Sequence, residues 1–194
     1  IGDCEELETV SMLRSIQMID GKEVLKESDA YKDRVEQANT FINWVNGDTE
    51  IKKITVDDIE DIKVFARWAI GAGYTLIDIK RNIMNDGKYY RTEDYIRMYG
   101  NDWYSPTVDW KPRSMLGVRE NGQFILAVIE GGSNSSNKGA NAKEQALIMR
   151  QLGAVQAVNL DGGGSSAFWK SGEGYKYEAE GRRIGSVVMV VEMQ

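Results

Sequence analysis

The 194-residue sequence predicts an α+β fold, a mixed or antiparallel sheet with packed helices, preceded by a small acidic helical region. Three observations predict it. Asn121-Gly122 between two apolar runs is a strong hairpin signal, because both residues tolerate the positive φ of a tight two-residue turn. Two earlier stretches repeat apolar residues at helical spacing behind polar caps. Val155 to Leu160 and Ile184 to Val191 are apolar, β-branched runs of strand length, suited to central strands.

Taken in order, Ser15 to Leu25 reads as two short strands around an Asp20-Gly21 turn. From Asp29 to Asn46, Val35, Ala38, Ile42 and Val45 recur at helical spacing and Gly47 terminates the helix. Thr55 and Asp58 form a capping-box pattern before Ile59, Ile62, Ala66 and Ala69, so a second helix runs to about Ile70. Tyr74 to Asp78 reads as a strand and Asn85 to Lys88 as a turn, followed by an aromatic-rich connection over 89–112 that covers a core edge or offers sugar-stacking rings. Ser114 to Val118 and Gln123 to Ile129 pair as the hairpin. Asn141 with Glu144 caps a helix presenting Ala142, Ala146, Met149 and Leu152 on one face, closed by Gly153. The expected organisation is an acidic, mainly helical region over 1–73 and an α+β domain over 74–194.

Composition removes whole classes of function. The formal charge is −6, with residues 1–60 at net −8 and residues 61–194 at net +2. An acidic first third and the lack of a basic stripe interleaved with aromatics argue against a nucleic-acid partner. No apolar run approaches the roughly 20 residues of a membrane span, so no membrane insertion is expected. The chain opens on Ile1 rather than Met, which points to processing or trimming, and no signal-peptide pattern opens it. Cys4 is the only cysteine, which forbids an internal disulfide and leaves the redox compartment open. The absence of histidine removes the Ser-His-Asp triad, Cys-His pairs and His-based zinc sites. Catalysis must then rest on carboxylates, hydroxyls, Lys, Arg, Tyr or backbone dipoles.

The segment Asn159-Leu-Asp-Gly-Gly-Gly-Ser-Ser166 meets that requirement. Asp161 ends an apolar strand, while Gly162, Gly163 and Gly164 let backbone N–H groups approach an anion closely. The loop lacks the Lys of a P-loop, and the strand-like Ala167-Phe-Trp169 takes the place of the helix a dinucleotide site needs. A tight chain reversal, or an Asp161 that merely accepts N–H bonds from its own loop, is the structural alternative.

Through Pro112 to Arg119, Glu130-Gly131, Gly139, Leu152-Gly-Ala154 and Asn159 to Ser166, residues 112–191 resemble the phosphodiester glycosidase family. That resemblance implies cleavage of the bond between a sugar's anomeric carbon and a phosphodiester oxygen, with a sugar phosphodiester or phosphoglycan as partner and no cofactor required. A Ca²⁺ or Mg²⁺ near Asp161 is compatible with it but no metal ligand set is expected. It further implies that Arg113 grips phosphate, that Asp161 and Glu130 form the carboxylate pair, and that Asn159 orients substrate or Asp161. Ser165 and Ser166 add hydroxyl donors, and Arg182, with Arg183 as fallback, completes the cationic pocket. Glu130 stands where the family usually has Asp, Ala167 where it has Thr and Ser186 where it has Asn; its Asn-Gly-Gly-aromatic segment is not recognisable. The resemblance also suggests an extracytoplasmic or cell-envelope setting. Two other readings stand beside the hydrolase: a non-catalytic phosphoglycan-binding module, and a structural subunit of a phage or cell-surface assembly.

Overall fold

The computed structural model describes residues 17–19, 22–23, 39–55, 57–81, 83–84, 110–132, 136–181, 184, 188 and 190. Its fold is α+β and built on antiparallel sheets. The first sheet has the order β2-β1-β5-β3-β4, formed by β1 (Gln17–Ile19), β2 (Lys22–Glu23), β3 (Asn39–Trp44), β4 (Thr49–Lys53) and β5 (Ala66–Ala72). The second has the order β7-β6-β10-β8-β9, from β6 (Thr75–Asp78), β7 (Ile83–Met84), β8 (Arg113–Arg119), β9 (Phe124–Ile129) and β10 (Ala154–Asn159). A separate ribbon pairs β11 (Ala167–Lys170) with β12 (Gly174–Glu178).

Among the described residues, two α-helices cover outer faces of the sheets. Helix α1 (Asp58–Phe65) lays Ile59 and Ile62 on Ile42, Ala66 and Ala69 of the first sheet and on Ile54, just past β4. Helix α2 (Ala142–Gln151) lays Ala142, Ala146 and Met149 on Leu76, Ile77, Met115, Ala154 and Ala157 of the second. Between the sheets lie Phe41, Ile51 and Ala72 from one side and Leu116, Val118 and Val158 from the other, so the two sheets share an apolar layer. Phe41 and Trp68 stack at 5.7 Å, and Phe124 from the second sheet closes on both rings. The chain leaves β5 for β6 at residues 73–74, the boundary between the sheets.

Several expected elements stand. The early hairpin pairs Met18 with Glu23, the Asn121-Gly122 turn joins β8 to β9, and both halves of the Asn141–Glu144 capping box form at 3.0 Å. The helical reading of 29–46 does not hold over its second half, because Asn39–Trp44 is a strand; residues 29–38 lie outside the described set. Strand β3 is central and buried on both faces, Phe41 toward the second sheet and Ile42 toward α1. Such a strand carries no inside–outside alternation to oppose a chance 3.6-residue spacing. The second helix stops at Phe65, and residues expected to extend it form β5, where ladder bonds to β1 and β3 outweigh alanine's helix propensity. On α2, Leu152 lies past the last turn and is exposed. The Asn85–Lys88 turn, residues 89–109 of the aromatic connection, and most of the expected 184–191 strand lie outside the described residues.

Candidate active site

Strand β8 fixes the site, because β9 and β10 both run antiparallel to it on opposite sides. Strands β9 and β10 are thus parallel to each other but separated by β8. Their C-terminal ends still emerge at one end of the sheet, where β8 begins. Arg113 pairs with Ile129, and Leu160 N–H donates to the Ser114 carbonyl at 2.9 Å. Glu130 and Asp161 therefore leave the sheet on either side of Arg113, their backbones roughly 10 Å apart by two interstrand spacings.

The glycine loop is built onto β8. Gly163 N–H donates to the Pro112 carbonyl at 2.8 Å, and a Cβ at position 162 would lie 3.5 Å from Arg113 Cδ and 3.2 Å from the Pro112 oxygen. Residues Gly163–Ser165 then make one 3₁₀ turn. Arg113 is 1% exposed, its Nε donating to the Ala140 carbonyl at 3.0 Å. It is an enclosed cation under the loop.

Asp161 is exposed, and one carboxylate oxygen accepts the Gly162 N–H at 2.9 Å. Two of the three glycine N–H groups expected to meet an anion are accordingly engaged within the protein; Gly164 N–H has no partner among the described residues. Asn159 is buried, with Nδ2 on its neighbour's carbonyl at Leu160 and Oδ1 without a partner among the described residues. Ser166 is fully buried and its Oγ is likewise unpartnered among them. Ser165 sits half-buried in the turn.

Two more glycines bring a fourth segment to this end. A Cβ at Gly131 would lie 2.6 Å from the Gly139 nitrogen. Gly139 has φ +93° and a Cβ there would overlap the Lys111 carbonyl, in a crossing sealed by the Ala140 N–H to Lys111 carbonyl bond at 3.0 Å. Glu130 itself is exposed and borders an apolar groove of about 360 Å³ with Ile129, Ile148, Leu152, Phe168 and Tyr177. The structure thus joins Arg113, Asn159, Asp161, Gly162, Gly163, Gly164, Ser165 and Ser166 in one loop and its floor, and sets Glu130 at its flank; Arg182 and Arg183 lie outside the described residues.

Sequence reasoning missed two residues. The Tyr177 hydroxyl binds both backbone groups of Gly131, and the Glu180 carboxylate occupies the space where a Gly164 side chain would stand. Neither carried a signal beyond an aromatic and an acid in a polar ribbon. No described group of three or more Asp, Glu or Cys side chains is placed to hold a metal ion, and no described helix is long and apolar enough to cross a membrane.

The fold matches the catalytic domain of zebrafish N-acetylglucosamine-1-phosphodiester alpha-N-acetylglucosaminidase, solved as the form auto-inhibited by its pro-peptide, with a TM-score of 0.63 at 20% identity. That likeness covers 84% of this chain and 50% of the solved one. The model of the phosphodiester glycosidase family matches residues 14–191, and the chain belongs to this family. Curated relatives are the mouse and bovine enzymes of the same name, 34% and 32% identical over 89 residues, or 41% of this chain. The aligned stretch is 17% and 16% of those relatives' length. The family match starts at residue 14, so the first sheet, whose β3 and β5 the sequence read as helix, is part of it.

Proposed function

We propose that this chain is a hydrolase cleaving the glycosyl–phosphate bond of a sugar phosphodiester, releasing free sugar and a phosphomonoester. The observation that supports it most is Asp161, an exposed carboxylate with one oxygen fixed by Gly162 N–H, on a loop seated over Arg113. Departure as phosphate already suits the leaving group to hold negative charge, so the remaining demand is a carboxylate beside the oxocarbenium-like transition state. Asp161 fills that role. Gly164 N–H and the Ser165 hydroxyl meet the phosphate, and Arg113 holds the loop from beneath. Glu130 is the candidate partner carboxylate at the groove. The chemistry requires no cofactor, and its substrates are envelope or wall polymers or capped sugar phosphates met outside the cytoplasm.

The test is release of reducing sugar from synthetic sugar-1-phosphodiesters. Wild type releases sugar, and Asp161→Ala lowers kcat/KM by about 100-fold or more. No release across the panel, or undiminished release by the variant, overturns the reading.

A second reading, a phosphoglycan-binding module without turnover, draws on the enclosure of Arg113 and the internal use of two glycine N–H groups. Calorimetric binding of the same substrates without product favours it.

A further inference from the structure

Gly164 is confined by a carboxylate. A Cβ built there would overlap Cδ and Oε2 of Glu180, with Oε1 at 2.8 Å, and no other atom is so close. A side chain at 164 would push the exposed Glu180 carboxylate out of this position. The backbone holds the acid there: after β12 the chain returns to the loop, and Ala179 N–H donates to the Ser166 carbonyl at 3.0 Å. Glu180 is exposed and makes no hydrogen bond or ion pair among the described residues, although three other acids of the ribbon and its surroundings differ: Glu173 bonds Lys176, Asp161 bonds Gly162 N–H, and Glu144 caps α2. No described residue takes up either oxygen of Glu180, and both stand at the loop. The same loop holds the buried Ser166 Oγ, and the strand before it Asn159 Oδ1, both without a partner among the described residues.

We propose that Glu180 is a catalytic carboxylate of this site, acting on the attacking water across the triglycine loop from Asp161, in the place the sequence had assigned to Glu130. The proposal rests on the hydrolase reading above. In the step it performs, a water oxygen forms a bond to the anomeric carbon while a water proton passes to Glu180. The bond from that carbon to the phosphodiester oxygen breaks, and its electron pair leaves on the phosphate. Glu180 then returns the proton to solvent. An acid with neither oxygen engaged by a described residue suits proton acceptance better than Asp161, one of whose oxygens is committed to Gly162. Glu130, across β8 and facing an apolar groove, is not held against the loop by any described contact.

The experiment is steady-state hydrolysis of a sugar-1-phosphodiester by wild type, Glu180→Gln, Glu180→Ala, Gly164→Ala and Glu130→Gln, with Glu178→Gln as the neighbouring-acid control. Glu180→Gln lowers kcat by about 100-fold or more with little change in KM, as loss of a general base does. It also removes one limb of the pH profile, and added formate restores turnover to Glu180→Ala. Gly164→Ala, which expels the carboxylate from its seat, gives a loss of the same order, while melting temperature of the Glu180 variants stays within a few degrees of wild type because the side chain is exposed. Glu178→Gln leaves kcat unchanged. If wild type is active but Glu180→Gln keeps kcat within threefold, or Glu130→Gln shows the larger loss and the formate rescue, the proposal fails and the hydrolase reading survives. If wild type hydrolyses no member of the panel, the hydrolase reading fails and the proposal falls with it.

Discussion

The Tyr177 hydroxyl donates to the Gly131 carbonyl at 2.7 Å and accepts the Gly131 N–H at 3.1 Å, so one side chain from the ribbon satisfies both backbone groups of the residue after Glu130. This clamp ties β12 to the end of β9 and fixes the flank of the site. Tyr177→Phe removes both bonds and leaves two part-buried backbone groups unsatisfied, a cost of about 1–3 kcal/mol. The melting temperature is expected to drop by roughly 2–12 °C. Scanning calorimetry on the two proteins measures it; an unchanged transition would show that the clamp does not hold in solution.

Asp58 carries the clearest pH dependence. The Lys52 ammonium bonded to it at 2.7 Å, and then the Thr55 N–H at 2.7 Å, pull its carboxyl from 3.8 down to about 2. A depressed carboxyl stabilises the fold when ionised, so the contribution is fully present above pH 3.8 and is lost as pH falls through about 2. Asp58→Asn is expected to cost about 1 kcal/mol at neutral pH, as a partly exposed ion pair with a helix-start bond does. The difference between the two proteins in urea unfolding should shrink steadily below pH 3.8. A difference independent of pH would contradict the assignment.

What the sequence disclosed depended on whether local chemistry or tertiary packing decided the outcome. Asn121-Gly122, the Asn141–Glu144 box and the Asp161 loop are local devices, and each is where its residues imply. Phe41 and Ile42 are adjacent side chains buried in different cores, a fact that exists only once two sheets and a helix assemble around β3. The site divides in the same way. Asp161 and its glycines were visible as a motif, whereas the engagement of Gly163 by Pro112 and the enclosure of Arg113 follow from how the loop sits on β8. Glu180 left no trace, because an acid in a polar ribbon reads as a solvated surface until the ribbon folds back on Gly164.

Gly139 tests the crossing that brings the start of α2 to the site. With φ +93° and the Lys111 carbonyl in the place of its side chain, Gly139→Ala meets backbone strain and a backbone clash together. The expected loss is about 2–4 kcal/mol, read as a lower denaturation midpoint with little change in its slope. Wild-type stability in the variant would place the crossing elsewhere in solution.

Arg113 separates a supporting cation from a gripping one. A solvent-facing arginine that only binds phosphate would raise KM on replacement and leave stability alone, because its contacts exist only with substrate present. The enclosed Arg113 instead bonds the Ala140 carbonyl through Nε and lies with its aliphatic stem against Gly162. Arg113→Lys keeps a positive charge but supplies no Nε donor at that point and cannot reproduce the planar fork. The variant is therefore expected to lose about 1–3 kcal/mol of stability and to lower kcat as well as raise KM, since the loop carrying Asp161 loses its floor. Thermal unfolding beside initial-rate kinetics decides the matter. A change in KM alone, with the melting curve unmoved, would mean that the guanidinium meets substrate directly and that its enclosure does not persist when the site is in use.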